Sequence, residues 1–274
     1  MRREAVQPGA PSDARGESAL SPLEVLTPAL LLWVVVVVAV AAWVYGVLGV
    51  GLPLIATPLL ALVMPLQDAV IVLVVPVLVA IFVSIWSVPD FLGTLKRFWF
   101  MPVAAFVGAA IGAQLFIRAP QFPYALVLVA AIFMWLWLDW RGKSESAWMK
   151  RHVVASGLAF GFAAGMFETT ANVASPPLIA YYAGLGLAPA AMIQGFNLCF
   201  LPGKTTQLVT FTLLGGVTMS QWAMTLPLAA VTAIAQKQGI RARQGVDPAT
   251  YRNWLRLALA AMAVVMLTQY ALGA

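Results

Sequence analysis

The chain has few of the residues that build soluble domains and metal or disulfide sites. Only 9% of its 274 residues are charged, and it has one histidine, His152, and one cysteine, Cys199. A single cysteine excludes an internal disulfide, and a zinc or thiol site would need more ligands. No polar stretch is long enough to bury a core of its own. The sequence therefore predicts no soluble domain, no metal site and no cofactor.

What the chain has in abundance is apolar sequence. Hydrophobic residues make up 62% of it, with a mean hydropathy of +0.91, which is typical of a polytopic helical membrane protein. The net charge of +6 is explained by membrane topology and not by a nucleic-acid partner, because Lys and Arg collect in inner loops. We expect a multi-pass membrane protein, with the lipid bilayer as a partner.

Two apolar runs, residues 28–64 and 153–188, set the architecture. Each is too long for one membrane crossing of ~20 residues and too short for two crossings with a loop. Glycine or polar residues interrupt each run midway, and Glu168 is the only charge in either. The chain must therefore turn round inside the bilayer twice.

Each interruption is followed by a pattern typical of a helix start, Thr57-Pro58 in the first run and Ser175-Pro176 in the second. Thr or Ser suits the N-cap, and Pro suits the first turn, where its missing N–H costs nothing. Non-helical backbone at this depth is tolerated where it lines a wet cavity, and a helix N-terminus there favours an anion. Paired broken segments of this kind indicate a transporter's substrate site.

Hydropathy divides the chain into ten apolar segments, five in each half, with the short broken ones in corresponding places. The segments are residues 28–48, 53–64, 68–88, 98–117, 122–139, 153–168, 175–187, 189–214, 219–236 and 253–272. We therefore predict an all-α membrane protein of two inverted repeats, each with a broken or re-entrant helix. The predicted parts are a disordered tail (1–27), a first repeat (28–138), a cytoplasmic linker (139–152) and a second repeat (153–274).

Basic residues orient this arrangement in the membrane. Placing loops 89–97, 139–152 and 237–252 inside puts ten Lys and Arg on the inner side and four on the outer side, as the positive-inside bias requires. The same loops are flanked by tryptophans: Trp86, Trp99, Trp135, Trp137, Trp140, Trp148 and Trp254. Each half then has an odd number of crossings, so the second half enters from the opposite face and both termini lie outside.

Glu168 and Lys204 are the only charges that the segments place deep in the membrane. A charge at the bilayer centre costs ~2.5 to 3.5 kcal/mol on insertion scales, so such residues face a cavity or a partner. The two residues can form a substrate site, a structural pair that neutralises itself, or both.

Further candidates surround these two charges in the second half. Asn172 and Ser175 lie at the interruption, and Asn197, Lys204 and Gln207 fall on roughly one face of the eighth segment. These polar groups can contact a substrate, cap neighbouring helices or hydrogen-bond between helices.

The first half is nearly uncharged, so we expect it to contribute backbone N–H groups at Gly49 and Thr57. Glycines allow backbone to approach a ligand closely. They equally allow close helix packing, which is our interpretation of Gly108 and Gly112.

The two interrupted runs and the eighth segment resemble the sulfite exporter TauE/SafE family, also called TSUP. The resemblance rests on 46–51 (Gly-Val-Leu-Gly-Val-Gly) through 57–59 (Thr-Pro-Leu), on 161–165 with 172–181, and on 197–200 (Asn-Leu-Cys-Phe) with Gly203-Lys204 and Gln207. The chain departs from it at 168–170 (Glu-Thr-Thr), where many relatives have glycines, and at Leu52-Pro53. The resemblance implies a small anion as substrate: sulfite, thiosulfate, a sulfonate or a related organic acid.

Our hypothesis is a secondary transporter that works by alternating access around a midplane site. Lys204 supplies the charge, Asn172 and Asn197 orient the anion, and Glu168 holds Lys204 in the empty site or carries a coupling proton. The alternatives are an intramembrane enzyme acting on a lipid-linked phosphate and an anion channel. Against an enzyme, the sequence has no His-Glu-x-x-His helix and no Gly-x-Ser-x-Gly elbow. Nothing in the sequence indicates an oligomeric state.

Overall fold

The computed structural model describes residues 28–60, 62–64, 66–118, 124–140, 145–171, 173–213 and 219–272. These residues form twelve α-helices and no strand, which confirms the all-α prediction. The helices are α1 (Pro28–Leu48), α2 (Leu52–Leu60), α3 (Leu66–Ser87), α4 (Phe91–Phe98), α5 (Phe100–Arg118), α6 (Tyr124–Trp140), α7 (Ala147–Arg151), α8 (Val153–Ala171), α9 (Ser175–Gly184), α10 (Pro189–Leu213), α11 (Met219–Arg243) and α12 (Pro248–Leu272).

Within the part of the chain that the structure describes, two helical stretches, Pro28–Leu48 (α1) and Asp68–Ser87 (in α3), are each long and apolar enough to cross a membrane. A third span is formed if α4 and α5, which are bent by 70° at their junction, are taken together. The longer helices α10 and α11 contain Pro202 and Pro227, and α10 carries Lys204. The chain is a polytopic membrane protein. The predicted tail (1–27) lies outside the described residues.

Each broken run forms a hairpin whose two arms lie side by side. Near the open end of the first hairpin, Trp33 Nε1 of α1 donates a hydrogen bond to the Leu59 carbonyl of α2 (3.2 Å). At the open end of the second, the N–H of Ser146, just before α7, donates to the Gly184 carbonyl at the end of α9 (3.0 Å). Each hairpin therefore returns to the face from which it started.

The two hairpins open at opposite ends of α3. The start of α3 adjoins the end of α2, and Asp68 there accepts a hydrogen bond from Gln221 at the start of α11 (2.8 Å). At the other end, the Val88 carbonyl accepts a hydrogen bond from Gln194 (2.5 Å), near the start of α10 and the end of α9. The two halves are thus inverted, as the odd number of crossings predicted.

Helix packing follows the same two-fold pattern. α1 packs against α11 as α8 packs against α5, and α3 packs against α11 as α10 packs against α5. The ends of α1 and α8, the starts of α2 and α9, and the starts of α3 and α10 are all 123 residues apart (171 minus 48, 175 minus 52, 189 minus 66). The exact limits of the predicted repeats and linker stay a prediction.

The observed starts of α2 and α9, the second helices of the two hairpins, correct our sequence interpretation. α2 begins at Leu52, so Thr57 and Pro58 lie inside it and Thr57 is not an N-cap. Gly49 (φ 75°) and Gly51 (φ 110°) adopt the left-handed conformation that glycine favours. The chain therefore turns immediately after α1, and Pro53 takes the first-turn position.

In the second hairpin the N-cap is Ala174, and it makes no side-chain cap hydrogen bond. Ser175 is instead the first helical residue, followed by Pro176, so it was also wrong to place Ser175 at the cap. The pattern Val-x-x-Pro at 50–53 and 173–176 is common to both hairpins. This shared pattern is the signal that would have given the correct start of α2.

All three predicted inner loops contain helix, since Ala147–Arg151 within loop 139–152 forms α7. Residues 91–98 form α4, which carries Lys96 and Arg97 in its last turn. α11 continues to Arg243 and α12 begins at Pro248, because Asp247 accepts hydrogen bonds from the N–H groups of Ala249 and Thr250 (3.0 Å each). Hydrogen bonds from Thr250 hold the pKa of the Asp247 carboxyl below its usual range. An Asp-Pro pair at a helix start is a recognisable capping signal.

Glycines allow the hairpins to pack closely on the neighbouring helices. A methyl group at Gly165 of α8 would collide with the Ala105 carbonyl of α5, and one at Gly108 of α5 would collide with the Phe162 carbonyl of α8. At the equivalent interface, a methyl group at Gly239 of α11 would collide with the Trp43 carbonyl of α1. The prediction that Gly108 and Gly112 serve helix packing is confirmed.

We predict that Gly165→Ala destabilises the protein by about 1 to 3 kcal/mol, because the added methyl forces two closely packed backbones apart. Thermal unfolding in detergent measures the effect. Ala159→Leu, on the exposed face of the same helix, is the matched control and should leave the melting temperature nearly unchanged. Equal melting temperatures for Gly165→Ala and the wild type would contradict this account of the packing.

Candidate functional site

The turns of the two hairpins meet at one small cavity inside the protein. Its lining comes from both halves: Tyr45, Gly51, Pro53, Leu54, Val77, Glu168, Val173, Ala174, Ser175, Phe200 and Lys204. The cavity volume is about 20 Å³, enough for about one water molecule. An anion of several heavy atoms would therefore require the surrounding helices to move apart.

A buried ion pair lies in this cavity wall. Lys204 Nζ is 2.5 Å from Glu168 Oε1, and the two side chains are only 4% and 7% exposed. Lys204 Nζ also donates a hydrogen bond to Gln207 Oε1 (3.0 Å). Glu168 comes from the last turns of α8, and Lys204 follows Pro202 and Gly203 in α10. The pair thus joins two helices and at the same time faces the space where the hairpins meet.

The start of α9 also lies at this space. Ala174 and Ser175 line the cavity, and the positive end of the helix dipole lies here. Pro176 and Pro177 have no N–H, so the first turn offers fewer donors than an ordinary helix start. The donors left at this end are the amides of Ala174 and Ser175. The first half contributes Gly51 and the start of α2.

Among the predicted residues, Glu168, Lys204 and Ser175 line the cavity, and Gln207 holds Lys204. Asn197 does not line it. Asn197 is fully buried and donates hydrogen bonds to Ser84 Oγ (3.0 Å) and Gln194 Oε1 (3.1 Å). Its described contacts therefore tie α10 to α3, which is the interhelical alternative considered from the sequence.

The other predicted residues lie apart from the cavity or outside the described structure. Thr57 is buried inside α2. Gly49 is closely packed, since a methyl group there would meet the Ile193 side chain at 2.6 Å. Neither residue lines the cavity. Asn172 lies outside the described residues.

Sequence reasoning missed Tyr45. This side chain is 1% exposed and lines the same cavity as Glu168 and Lys204. The two-fold repeat would have found it, because Tyr45 and Glu168 are separated by the same 123 residues (168 minus 45) that relate the two hairpins. Tyr45 lies in the last turn of an apolar helix and carries no charge, so the search for charged residues within apolar segments did not identify it.

A much larger groove, of about 770 Å³, lies between α1, α2 and α12. Its lining contains no charged side chain. An anion would lose its hydration there without gaining a charged partner. The small cavity at Lys204 is therefore the candidate site, although the groove is far larger.

The family model for the sulfite exporter TauE/SafE matches residues 34–266, a range that includes both hairpin turns, Glu168 and Lys204. The chain belongs to the sulfite exporter TauE/SafE family. This is a family of transporters and not of enzymes, so this TauE/SafE protein is a sulfite exporter-type membrane transporter with a small anion as its substrate. No curated protein and no solved structure matches the chain.

We predict that Lys204→Gln and Glu168→Gln each destabilise this TauE/SafE protein more than the double variant does. Removing one partner of a buried ion pair leaves an uncompensated charge and costs about 3 to 5 kcal/mol in soluble proteins, whereas removing both partners costs far less. A double-mutant cycle measured by thermal unfolding in detergent gives the coupling. Additive effects of the two single variants would contradict the prediction.

Proposed function

We propose that the protein transports a small oxyanion, such as sulfite, thiosulfate, a sulfonate or a related organic acid, by alternating access around the cavity between its hairpins. The observation that carries the proposal is the position of Lys204. Among the described residues it is the only buried cation, and it lies where the two hairpin turns meet. A buried cation in a membrane protein is costly, and such residues mark substrate or ion pathways.

The ion pair gives this site a way to bind and release an anion. With Glu168 on Lys204 the pair is neutral, so the cavity wall has no net charge to attract an anion. When an anion takes the place of the carboxylate on Lys204, Glu168 loses its cationic partner inside the protein, where an unpaired charge is costly. Anion binding and proton binding are then linked, so Glu168 is the proposed site of a coupling proton.

The inverted halves give the protein a way to expose this site to each face in turn. The hairpins open at opposite ends of α3, and equivalent interfaces in the two halves can exchange their conformations. The halves already differ: α6 packs against α8 and α9, whereas the large groove separates α2 from α12. This asymmetry between equivalent interfaces supports rocking of one half against the other.

The basic ends of the helices support a placement in the bacterial inner membrane. Lys96 and Arg97 of α4, Lys150 and Arg151 of α7 and Arg241 of α11 belong to the end of the molecule that we assign to the inner face. In this orientation the second hairpin opens inward and the first opens outward.

We predict that Lys204→Gln abolishes uptake of labelled sulfite into proteoliposomes, because the variant lacks the charge that offsets the anion's lost hydration. Lys150→Gln, which removes an exposed cation paired with Glu145, is the matched control and should transport like the wild type. Equal numbers of folded, inserted molecules are verified by size exclusion and quantitation. Full sulfite transport by Lys204→Gln would remove this residue from the mechanism.

The same vesicles separate a carrier from the other two functions. A carrier gives saturable uptake and releases the anion chemically unchanged. An ohmic single-channel current would indicate a channel, and a chemically altered anion would indicate an enzyme.

We predict that Glu168→Gln uncouples sulfite transport from a pH gradient, because an amide cannot bind and release the coupling proton. The measurement compares the initial uptake rate with and without an imposed gradient. The wild-type rate should change with the direction of the gradient, and the Glu168→Gln rate should not. A wild-type rate that ignores the gradient would rule out proton coupling through Glu168.

A further inference from the structure

Tyr45 differs from the other fully buried tyrosines in its hydrogen bonding. The hydroxyls of Tyr181, Tyr182 and Tyr251 donate to the backbone carbonyls of Val153 (2.8 Å), Gly195 (3.2 Å) and Leu48 (2.6 Å). The Tyr45 hydroxyl has no hydrogen-bond partner within the described part of the chain. A buried hydroxyl without a partner is costly, and buried tyrosines usually find one.

The position of Tyr45 indicates what its partner is. The side chain is 1% exposed and lines the cavity that holds Lys204, Glu168 and the amide end of α9. Tyr45 lies in the last turn of α1, the first helix of one hairpin, and Glu168 lies at the corresponding position of α8 in the other hairpin. The cavity therefore receives a neutral O–H donor from one half and a cation from the other.

We propose that Tyr45 is a substrate-binding residue whose hydroxyl donates a hydrogen bond to an oxygen of the transported anion. The inference rests on the proposed function. Lys204 binds one oxygen through its charge, and Tyr45 binds another through a directed hydrogen bond. The substrate class that this arrangement fits is an anion with at least two exposed oxygens, as in sulfite or a sulfonate.

This arrangement also gives Tyr45 a positioning role between the halves. α1 belongs to the first half and α10 to the second, so an anion held by both residues connects the two halves directly. The other first-half residues in the cavity wall, Gly51, Pro53, Leu54 and Val77, have no polar side chain. Tyr45 is thus the side-chain donor through which the first half recognises the substrate.

Tyr45→Phe tests the assignment because it keeps the ring and removes only the hydroxyl. The matched control is Tyr182→Phe, since Tyr182 is equally buried but donates to the Gly195 carbonyl. Without an anion, Tyr45→Phe should melt at or above the wild-type temperature, because it removes a hydroxyl that has no partner. Tyr182→Phe should melt below the wild type, because it loses a hydrogen bond.

Sulfite is then titrated into the purified full-length variants in anaerobic buffer, and the rise in melting temperature is followed. Tyr45→Phe should need about ten- to a hundredfold more sulfite than the wild type for the same rise, the fold-change expected for a hydrogen bond to a charged group. Tyr182→Phe should bind sulfite like the wild type. Methanesulfonate should show the same ranking of variants.

Two results would overturn the assignment while leaving the proposed function intact. One is wild-type sulfite affinity in Tyr45→Phe. The other is a lowered melting temperature of Tyr45→Phe without sulfite, which would show that the hydroxyl already has a structural partner. If the wild-type protein itself binds neither sulfite nor methanesulfonate, the proposed oxyanion substrate fails, and the role of Tyr45 fails with it.

Discussion

The ion pair between Lys204 and Glu168 is the interaction on which the rest of this structure depends. Two charges inside a bilayer-spanning protein are tolerated only when each satisfies the other. Their separation of 2.5 Å satisfies that condition and also ties α8 to α10. The pair is stable because the two charges neutralise each other. An anion that competes with Glu168 for Lys204 would therefore break the pair. The cost of burying Lys204 and its proposed use in binding an anion therefore have the same physical origin.

The fold places this ion pair beside the non-helical turns of the two hairpins. Two hairpins turn inside the protein, and their turns face one another across a cavity that holds about one water molecule. Glycines on α5, α8, α1 and α11 allow the helices around the hairpins to pack at backbone contact. Close packing of this kind holds the turns in position, and it recurs at two equivalent interfaces, α1 with α11 and α8 with α5. The TauE/SafE family model covers both turns and the ion pair.

The segments and the charged pair were predictable from the sequence because both depend on strong, local signals. Long apolar runs mark helices, and an isolated Glu168 or Lys204 in such a run stands out at once. The start of α2 was mispredicted because Thr57-Pro58 resembles a helix start, whereas the left-handed glycines at 49 and 51 had already turned the chain. The helical structure of 248–252 was missed because its polarity outweighed the Asp247-Pro248 capping signal.

Tyr45 and Asn197 show which parts of a site a sequence hides. Tyr45 carries no charge, so the sequence does not single it out. Tyr45 differs from the other fully buried tyrosines described above because its hydroxyl makes no hydrogen bond to a backbone carbonyl of the described residues. Asn197 looks like a site residue on a polar helix face, but its described hydrogen bonds run to Ser84 and Gln194. Which polar group meets the cavity and which joins two helices is decided by the rotation of each helix, and helix rotation follows from packing that spacing alone does not determine.

The most direct test of the central claim is an experimental structure of the protein with sulfite bound. We predict density for the anion between the two hairpin turns, within hydrogen-bond distance of Lys204 Nζ, with the Glu168 carboxylate displaced from that nitrogen. Sulfite bound elsewhere, with the pair between Lys204 and Glu168 intact, would contradict the account.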